Sequence, residues 1–126
     1  MLSYDEFREL LEDVIDEQPE YCFRELNGGV ILEEELKRNP AAKADDLFIL
    51  GTYTRGGYMG RYVTIFYGSF CRVFGHLSPE EIKEKIRHTL RHELTHHLES
   101  LAGERDLEIE DEQFMESYLR RHEDKQ

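Results

Sequence analysis

The first part of the chain carries apolar residues at the spacing of a helix. They recur every three or four positions, at Phe7, Leu10, Leu11, Val14 and Ile15. Ser3 and Glu6 precede them at the spacing of a capping box, in which each residue caps the backbone of the other. The pattern predicts an amphipathic helix. Pro19 then permits a further helical turn, which the Asn-Gly-Gly sequence at 27–29 is expected to stop.

The middle of the chain predicts short strands. Residues 30–32 (VIL) are one candidate, and LFILGTY (47–53) and RYVTIFYGSF (61–70) are two better ones, rich in β-branched and aromatic residues. The segment TRGGYMG (54–60) lies between the last two and holds three glycines, so we expect a hairpin loop there.

Two further segments predict connections. Residues 33–46 combine a charge run, Pro40 and several alanines, and we expect a solvated connection with at most one helical turn. CRVFGH (71–76) is interpreted as either a strand end or a lead into the next element.

A long second helix is strongly specified. Ser78 and Glu81 form another capping box, with Pro79 at the first helical position. An apolar stripe follows, at Ile82, Ile86, Leu90, Leu94, Leu98 and Leu101. Gly103 is expected to end this helix, and a last helix is predicted from 111 to about 122. The order of elements predicts an α+β fold, with helices on one side of a small sheet.

Length and charge narrow the functional classes. The 126 residues suit a single domain, 1–126, and 28 acidic against 16 basic side chains give a net charge of -12. This balance argues against nucleic acid and anionic membranes as partners. The chain has neither an apolar run of about 20 residues nor a signal-like N-terminus. We therefore expect a cytoplasmic protein, a monomer or weak homo-oligomer, in which Cys22 and Cys71 stay reduced.

The segment HELTHH (92–97) carries the candidate chemistry. A helix turns about 100° per residue, so His92 and His96 stand one turn apart on one face, where both imidazoles can reach one metal ion. A catalytic zinc uses three protein ligands and keeps one position open. Glu93 lies beside the histidine face, where a general base is needed. The HExxH spacing inside a well-capped helix therefore predicts a zinc site with His92 and His96 as ligands and Glu93 as the catalytic residue.

The third ligand is not fixed by the motif. In metzincin-type sites a glycine and a further ligand follow three and six residues after the second histidine, but these positions hold Glu99 and Ala102. A Gly-x-x-Asp sequence occurs one helical turn later and ends at Asp106, which we rank first because the glycine turn can bring it back toward the ion. The open alternatives are Glu99, Glu110 and Glu116.

The other histidines near the motif are expected to have different roles. His97 points toward the apolar side of the helix and is predicted to be a hydrogen-bonded packing residue. His88 shares the metal face but lies a full turn before His92, which is too far along the axis to complete the same site easily.

The chain resembles the small bacterial zincin-like metallopeptidases, which are minimal HExxHH zincins. The resemblance is carried by HELTHHLESLAGERDLE (92–108), GRYVTIFYGSF (60–70) and NGGVIL (27–32). It implies a zincin-like fold: a small mixed sheet packed against the N-terminal and active-site helices, with a C-terminal helix closing the site. The family pattern has a glycine soon after HExxHH and then an acidic residue, whereas this chain carries LESLAG there.

The site predicts a zinc-dependent peptidase acting on a peptide or protein substrate. Glu93 would take a proton from the attacking water and pass it to the departing amine. The strand RYVTIFYGSF (61–70) is expected to present its edge to an extended peptide. The alternative is a cytosolic binding or regulatory module with a structural or vestigial zinc, which a closed four-ligand site would favour. A metal-free acidic interaction domain is a third hypothesis and requires the HExxH spacing to be accidental.

Overall fold

The computed structural model describes residues 1–42 and 47–104. Within these ranges the elements follow in the order α1 (Tyr4–Glu17), a 3₁₀ turn (Glu20–Phe23), β1 (Gly29–Glu33), β2 (Lys37–Arg38), β3 (Phe48–Ile49), β4 (Gly51–Thr54), β5 (Tyr62–Phe66), α2 (Tyr67–Phe74) and α3 (Pro79–Glu104). No helix in these ranges combines the length and the apolar composition needed to cross a bilayer. The last helix predicted at 111–122 lies outside the described residues.

Helix α1 forms as its sequence predicts. The Ser3 hydroxyl accepts a hydrogen bond from the Glu6 backbone N–H at 3.1 Å, and the Glu6 carboxylate accepts one from the Ser3 N–H at 2.9 Å. This capping box satisfies two backbone donors at the start of the helix. The inner face buries three apolar residues, Phe7, Leu11 and Val14.

The main sheet has three strands in the order β1-β5-β4. β1 pairs with β5 in parallel, and β4 pairs with β5 antiparallel through the glycine-rich hairpin predicted at 54–60. The sheet is therefore mixed, as expected. β5 is the central strand, and both of its edges are hydrogen-bonded to a neighbour.

Two predictions in the first half of the sheet were wrong in detail. LFILGTY (47–53) is two strands, because β3 pairs with β2 in a separate two-stranded sheet while β4 joins the main sheet. The change of partner falls at Leu50, whose carbonyl accepts a hydrogen bond from the Phe66 N–H at 2.9 Å. The connection predicted at 33–46 likewise contains a strand, β2, and no helical turn appears in its described part.

The segment RYVTIFYGSF (61–70) is not one strand. It leaves the sheet after Phe66 and continues as α2, which also takes up most of CRVFGH (71–76). Tertiary packing decides this change: Tyr67 and Phe70 lie on one helical face and both make edge-to-face contacts with Phe7, at ring-centroid distances of 5.4 and 5.0 Å. The aromatic residues that favour a strand locally are thus buried by a helix.

Helix α3 begins at the predicted capping box. Ser78 and Glu81 exchange hydrogen bonds of 3.2 Å between side chain and backbone, and the whole predicted apolar stripe is buried. The helix continues through Gly103 to Glu104, so Gly103 does not end it as expected. Leu101 is buried, and Glu104 forms an ion pair with Arg61, the residue before β5. Both interactions stabilise this end of the helix.

The core lies between the two long helices and the sheet. α1, α3 and the central strand β5 contribute most of its buried side chains, which are Phe7, Leu11, Val14, Val63, Ile65, Ile82, Ile86, Leu90 and Leu94. Cys22 is also buried in it. Both long helices thus cover one small mixed sheet, which is the predicted α+β arrangement.

β4 lies alongside α3 and fixes the position of the HELTHH segment. At its start, a Cβ atom added to Gly51 would lie 3.0 Å from the Thr89 methyl group and 3.1 Å from the Thr64 carbonyl oxygen. Any larger residue at this position would force the strand, the helix or the Thr89 side chain to shift. At its end, the Arg55 guanidinium donates to the Ser100 hydroxyl at 3.0 Å.

Between these points, a buried histidine joins the strand to the helix. His97 is fully buried, and its Nε2 lies 2.7 Å from the Arg24 carbonyl oxygen. A carbonyl only accepts, so Nε2 carries the proton and Nδ1 accepts from the Tyr53 hydroxyl at 2.9 Å. Burial lowers the pKa of His97, which keeps the ring neutral. The prediction that His97 is a hydrogen-bonded packing residue is confirmed.

The ion pair between α1 and α3 predicts a pH-dependent stability. Arg87 contacts both carboxylate oxygens of Glu17, at 2.6 and 2.8 Å, and this hydrogen bonding lowers the pKa of Glu17 below its ordinary 4.5. We expect Glu17→Gln to lose about 0.5 to 1 kcal/mol of unfolding free energy at pH 7. The loss should disappear as the pH falls through the lowered pKa, because both proteins then lack the charge. Urea unfolding across pH measures this.

The matched control is Glu12→Gln, which removes an exposed carboxylate 4.0 Å from Arg8. We expect this variant to differ little from the wild type at any pH. Equal unfolding free energies for Glu17→Gln and Glu12→Gln at pH 7 would contradict a stabilising role for the Arg87 pair.

Removing the Tyr53 hydroxyl group should lower the stability of the fold, because this hydroxyl donates a hydrogen bond to His97. Tyr53→Phe leaves the Nδ1 of a fully buried imidazole without its donor, which should lower the unfolding free energy by about 1 to 3 kcal/mol. Tyr58→Phe is the control, because Tyr58 is fully exposed in the hairpin loop and should change stability by less than about 0.5 kcal/mol. If urea unfolding gives the same value for both variants, His97 does not depend on this bond.

Candidate metal centre

His92 and His96 are brought together on the exposed face of α3. Their Nε2 atoms lie 3.1 Å apart, and the ring centroids are 4.7 Å apart. Two nitrogens bound tetrahedrally to one zinc at 2.0 to 2.1 Å are separated by about 3.3 Å. The facing nitrogens of this pair are already close to that separation, so the donor set fits two ligands of one zinc ion.

The electrostatics of the pair favour metal binding. Burial lowers the pKa of His92, and the charges of His96 and His88 lower it further, against an opposing effect of Glu99. A lowered pKa keeps the imidazole neutral near pH 7. The neutral ring is the form that binds a metal ion, because its free nitrogen carries a lone pair.

Glu93 sits beside this pair but in a different environment. Its side chain is 8% exposed, and burial raises its pKa to about 7. A carboxyl group with a pKa near neutrality can both accept and release a proton at neutral pH. Sequence reasoning predicted Glu93 next to the histidine face; the structure adds its burial and the change in its acidity.

A cleft runs between β4 and α3, directly over the motif. Its cavity of about 690 Å³ is lined by Ile49, Gly51, Thr52, Tyr53, Arg55, Glu93, His96, Glu99 and Ser100. A smaller cavity of about 270 Å³ adjoins Glu93, His92 and His88. The strand at the cleft is β4, the end strand of the main sheet in the described residues. The expectation that RYVTIFYGSF presents its edge was wrong, because β5 is paired on both sides.

The third ligand is not found among the described residues. No group of three or more His, Cys, Asp or Glu in 1–42 and 47–104 is arranged to hold a metal ion. Glu99 lies 3.8 Å from His96, but on the Nδ1 side of the ring, away from the Nε2 that faces His92. This position suits a carboxylate that orients a ligand histidine. Asp106, Glu110 and Glu116 fall outside the described residues, so these predictions stay open.

The contribution of β4 to the site was not predicted from the sequence. Tyr53, Arg55 and Gly51 all contact α3 within the segment that carries the motif. Period-two alternation along β4 indicates that Gly51 and Tyr53 share a face. It does not indicate which helix that face meets, so no signal in the sequence pairs Tyr53 with His97 or Arg55 with Ser100.

Comparisons with known proteins bear on the fold and the family of this chain. A conserved hypothetical protein from Thermus thermophilus has a similar structure, with a TM-score of 0.72 and 35% sequence identity. The match covers 81% of this chain and 99% of that one. No curated protein matches the sequence.

The family comparison covers the site itself. The zincin-like metallopeptidase family matches residues 48–116, which include β3 to α3 and the HELTHH segment. This range is more than half of the chain, and the structural match covers the same fold. The α+β fold is therefore zincin-like, as the resemblance implied, and the chain belongs to the family of zincin-like metallopeptidases.

Proposed function

We propose that this chain is a zinc-dependent peptidase. In this proposal His92 and His96 are two zinc ligands, Glu93 is the general base, and an acidic residue is the third ligand, with Asp106 ranked first. The observation that carries the proposal is the arrangement at one wall of the cleft. The Nε2 atoms of His92 and His96 lie 3.1 Å apart, and the neighbouring Glu93 carboxyl group is buried, which raises its pKa to about 7.

The residues divide the chemistry of hydrolysis among them. Zinc, when bound, supplies a Lewis acid that polarises the scissile carbonyl and makes water more acidic. Glu93 takes a proton from the attacking water and delivers it to the amine as the carbon–nitrogen bond breaks. Its position at the wall of the cleft, beside the histidine pair, suits both transfers.

The substrate is proposed to lie along β4. One side of this strand pairs with β5, and its other side borders the cleft that contains Glu93 and His96. An extended peptide can add to such an end strand through main-chain hydrogen bonds. This arrangement would set the peptide backbone beside the catalytic carboxyl with few demands on side-chain identity.

The alternative, a binding or regulatory module with a structural zinc, is less well supported. A closed site needs a fourth ligand. Both ring nitrogens of His97 are already hydrogen-bonded, to Tyr53 and Arg24, so His97 is not available for that role. A structural site also has no use for a buried carboxyl beside the histidine pair, which favours the peptidase.

The proposed ligands predict the metal content of purified protein. We expect about one zinc per chain by elemental mass spectrometry of tag-free wild type. His92→Ala and His96→Ala should lose it, because each removes one of two facing nitrogens. Of Asp106→Ala, Glu110→Ala and Glu116→Ala, one should lose zinc and thereby identify the third ligand, whereas Glu99→Ala should keep most of it, because Glu99 lies on the Nδ1 side of His96.

The control for metal content is His76→Ala, which removes a histidine outside the motif, between α2 and α3. It should keep the zinc of the wild type. Wild-type protein that holds no zinc after incubation with the ion would rule out the metal site and the peptidase with it.

The role of Glu93 predicts a separation of metal binding from hydrolysis. Glu93→Gln keeps the shape of the side chain but cannot accept the proton, so kcat on fluorogenic peptides should fall by about 10²-fold or more. Zinc content should be unchanged. Glu80→Gln, an exposed change in the first turn of α3, should leave both unchanged. Full peptidase activity in Glu93→Gln would exclude Glu93 as the base.

A further inference from the structure

The cleft has a cationic end, in contrast to the charge of the chain. The net charge is -12, and two glutamates, Glu93 and Glu99, line the cleft near His96. Arg55 follows β4 and Arg61 precedes β5, so the two arginines stand at the two ends of the glycine-rich hairpin. Of these two arginines, Arg55 lines the cleft, where it adds a positive charge to a lining that also contains two glutamates.

Arg55 connects the cleft to a second cavity. This cavity has a volume of about 460 Å³ and is lined by Asn27, Arg55, Gly56, Gly60, Arg61 and Glu104. Arg55 also lines the main cleft, so this residue borders both cavities.

The two arginines differ in their partners. Arg61 is ion-paired with Glu104, which balances its charge. Arg55 uses one nitrogen, Nη1, to donate to the Ser100 hydroxyl, a neutral partner, at 3.0 Å. A guanidinium has five N–H donors in a planar fork that fits a carboxylate. This bond orients the Arg55 side chain. Because Ser100 is neutral, it does not balance the positive charge of Arg55.

The position of Arg55 relative to the histidine pair sets a distance along the substrate. Ser100 follows His96 by four residues and His92 by eight on α3, which is about 6 and about 12 Å along the helix axis. An extended peptide advances about 3.3 Å per residue. Measured from His96 and from the middle of the histidine pair, a peptide lying along β4 would therefore bring a group about two to three residues away to Arg55.

We propose that Arg55 is a specificity-determining residue that binds a carboxylate of the peptide substrate about two to three residues from the scissile bond. The inference rests on the proposed peptidase function. The carboxylate belongs either to an aspartate or glutamate side chain or to the free C-terminus of a short peptide. Nearer the histidines, Glu93 and Glu99 repel the same group, so the preference depends on its position.

Paired fluorogenic peptides test the proposal. Acetylated and amidated peptides of one sequence carry either glutamate or glutamine at each of the three positions on both sides of the cleaved bond. A second set, without acidic side chains, ends in either a free acid or an amide. The proteins are wild type, Arg55→Gln, Arg55→Lys and the control Arg8→Gln, which changes an exposed arginine on α1.

The expected result is a preference for the carboxylate at one position about two to three residues from the cleaved bond. There, kcat/KM should favour glutamate over glutamine by about tenfold, the effect of a partly solvated charge-assisted hydrogen bond. Arg55→Gln should abolish the preference, Arg55→Lys should retain part of it, and Arg8→Gln should keep it whole. A preference confined to the second set identifies the C-terminal carboxylate as the ligand.

Equilibrium binding separates this proposal from the peptidase assignment. Fluorescence anisotropy with the same peptides is measured on the Glu93→Gln protein with and without Arg55→Gln. If wild type cleaves no peptide but binding still prefers the carboxylate through Arg55, the anion site stands and the peptidase fails. If neither cleavage nor binding discriminates between the paired peptides, or if Arg55→Gln discriminates as wild type does, the proposal is overturned.

Discussion

The contact between β4 and α3 is the constraint on which the site depends. A strand and a helix normally stay apart by the width of their side chains, but Gly51 has none, and a Cβ atom added there would lie only 3.0 Å from the Thr89 methyl group. Further along, the buried His97 hydrogen-bonds Tyr53 on one side and the Arg24 carbonyl on the other. Because these bonds lie in a buried, low-dielectric environment, they help to fix both the spacing and the register of the two elements. The cleft is the space that this contact leaves beside the sheet.

The same contact explains how one six-residue segment supplies three kinds of side chain. Helical geometry turns His92 and His96 to one face and His97 about 100° away from His96. The outward pair stays exposed with facing nitrogens, whereas His97 is fully buried between helix and strand. Glu93 lies at the boundary, buried enough to raise its pKa to about 7 but still lining the cleft. The structural role of His97 and the roles proposed for His92, His96 and Glu93 therefore follow from the angle of each residue around one helix.

Features that depend on interactions within a few residues could be predicted from the sequence, whereas features that depend on contacts between distant residues could not. Both long helices were predicted correctly at their starts, because Ser3 with Glu6 and Ser78 with Glu81 act within one turn. The segment 61–70 was misread because its aromatic residues favour a strand locally, while contacts with Phe7 select a helix after Phe66. Likewise, the spacing of HELTHH predicted the histidine pair and Glu93, but the partner strand could not be identified. Strand-to-helix register depends on packing between distant residues, so β5 was expected at the cleft where β4 lies.

The described walls of the cleft bear on how the proposed peptidase would select a substrate. Among the described residues, one sheet edge and one helix form these walls, and no second lobe encloses a side chain. The proposed backbone pairing along β4 would not distinguish sequences. Charge is the remaining means of discrimination, since it acts without enclosure and is strongest where an opposite charge is held in place. In this chain the excess of acidic residues repels anionic peptides from most of the surface, so one anchored arginine has a larger effect than it would on a neutral protein. Arg55 is held by a hydroxyl on the same helix that carries the histidines, which ties the cation to the site at a fixed distance.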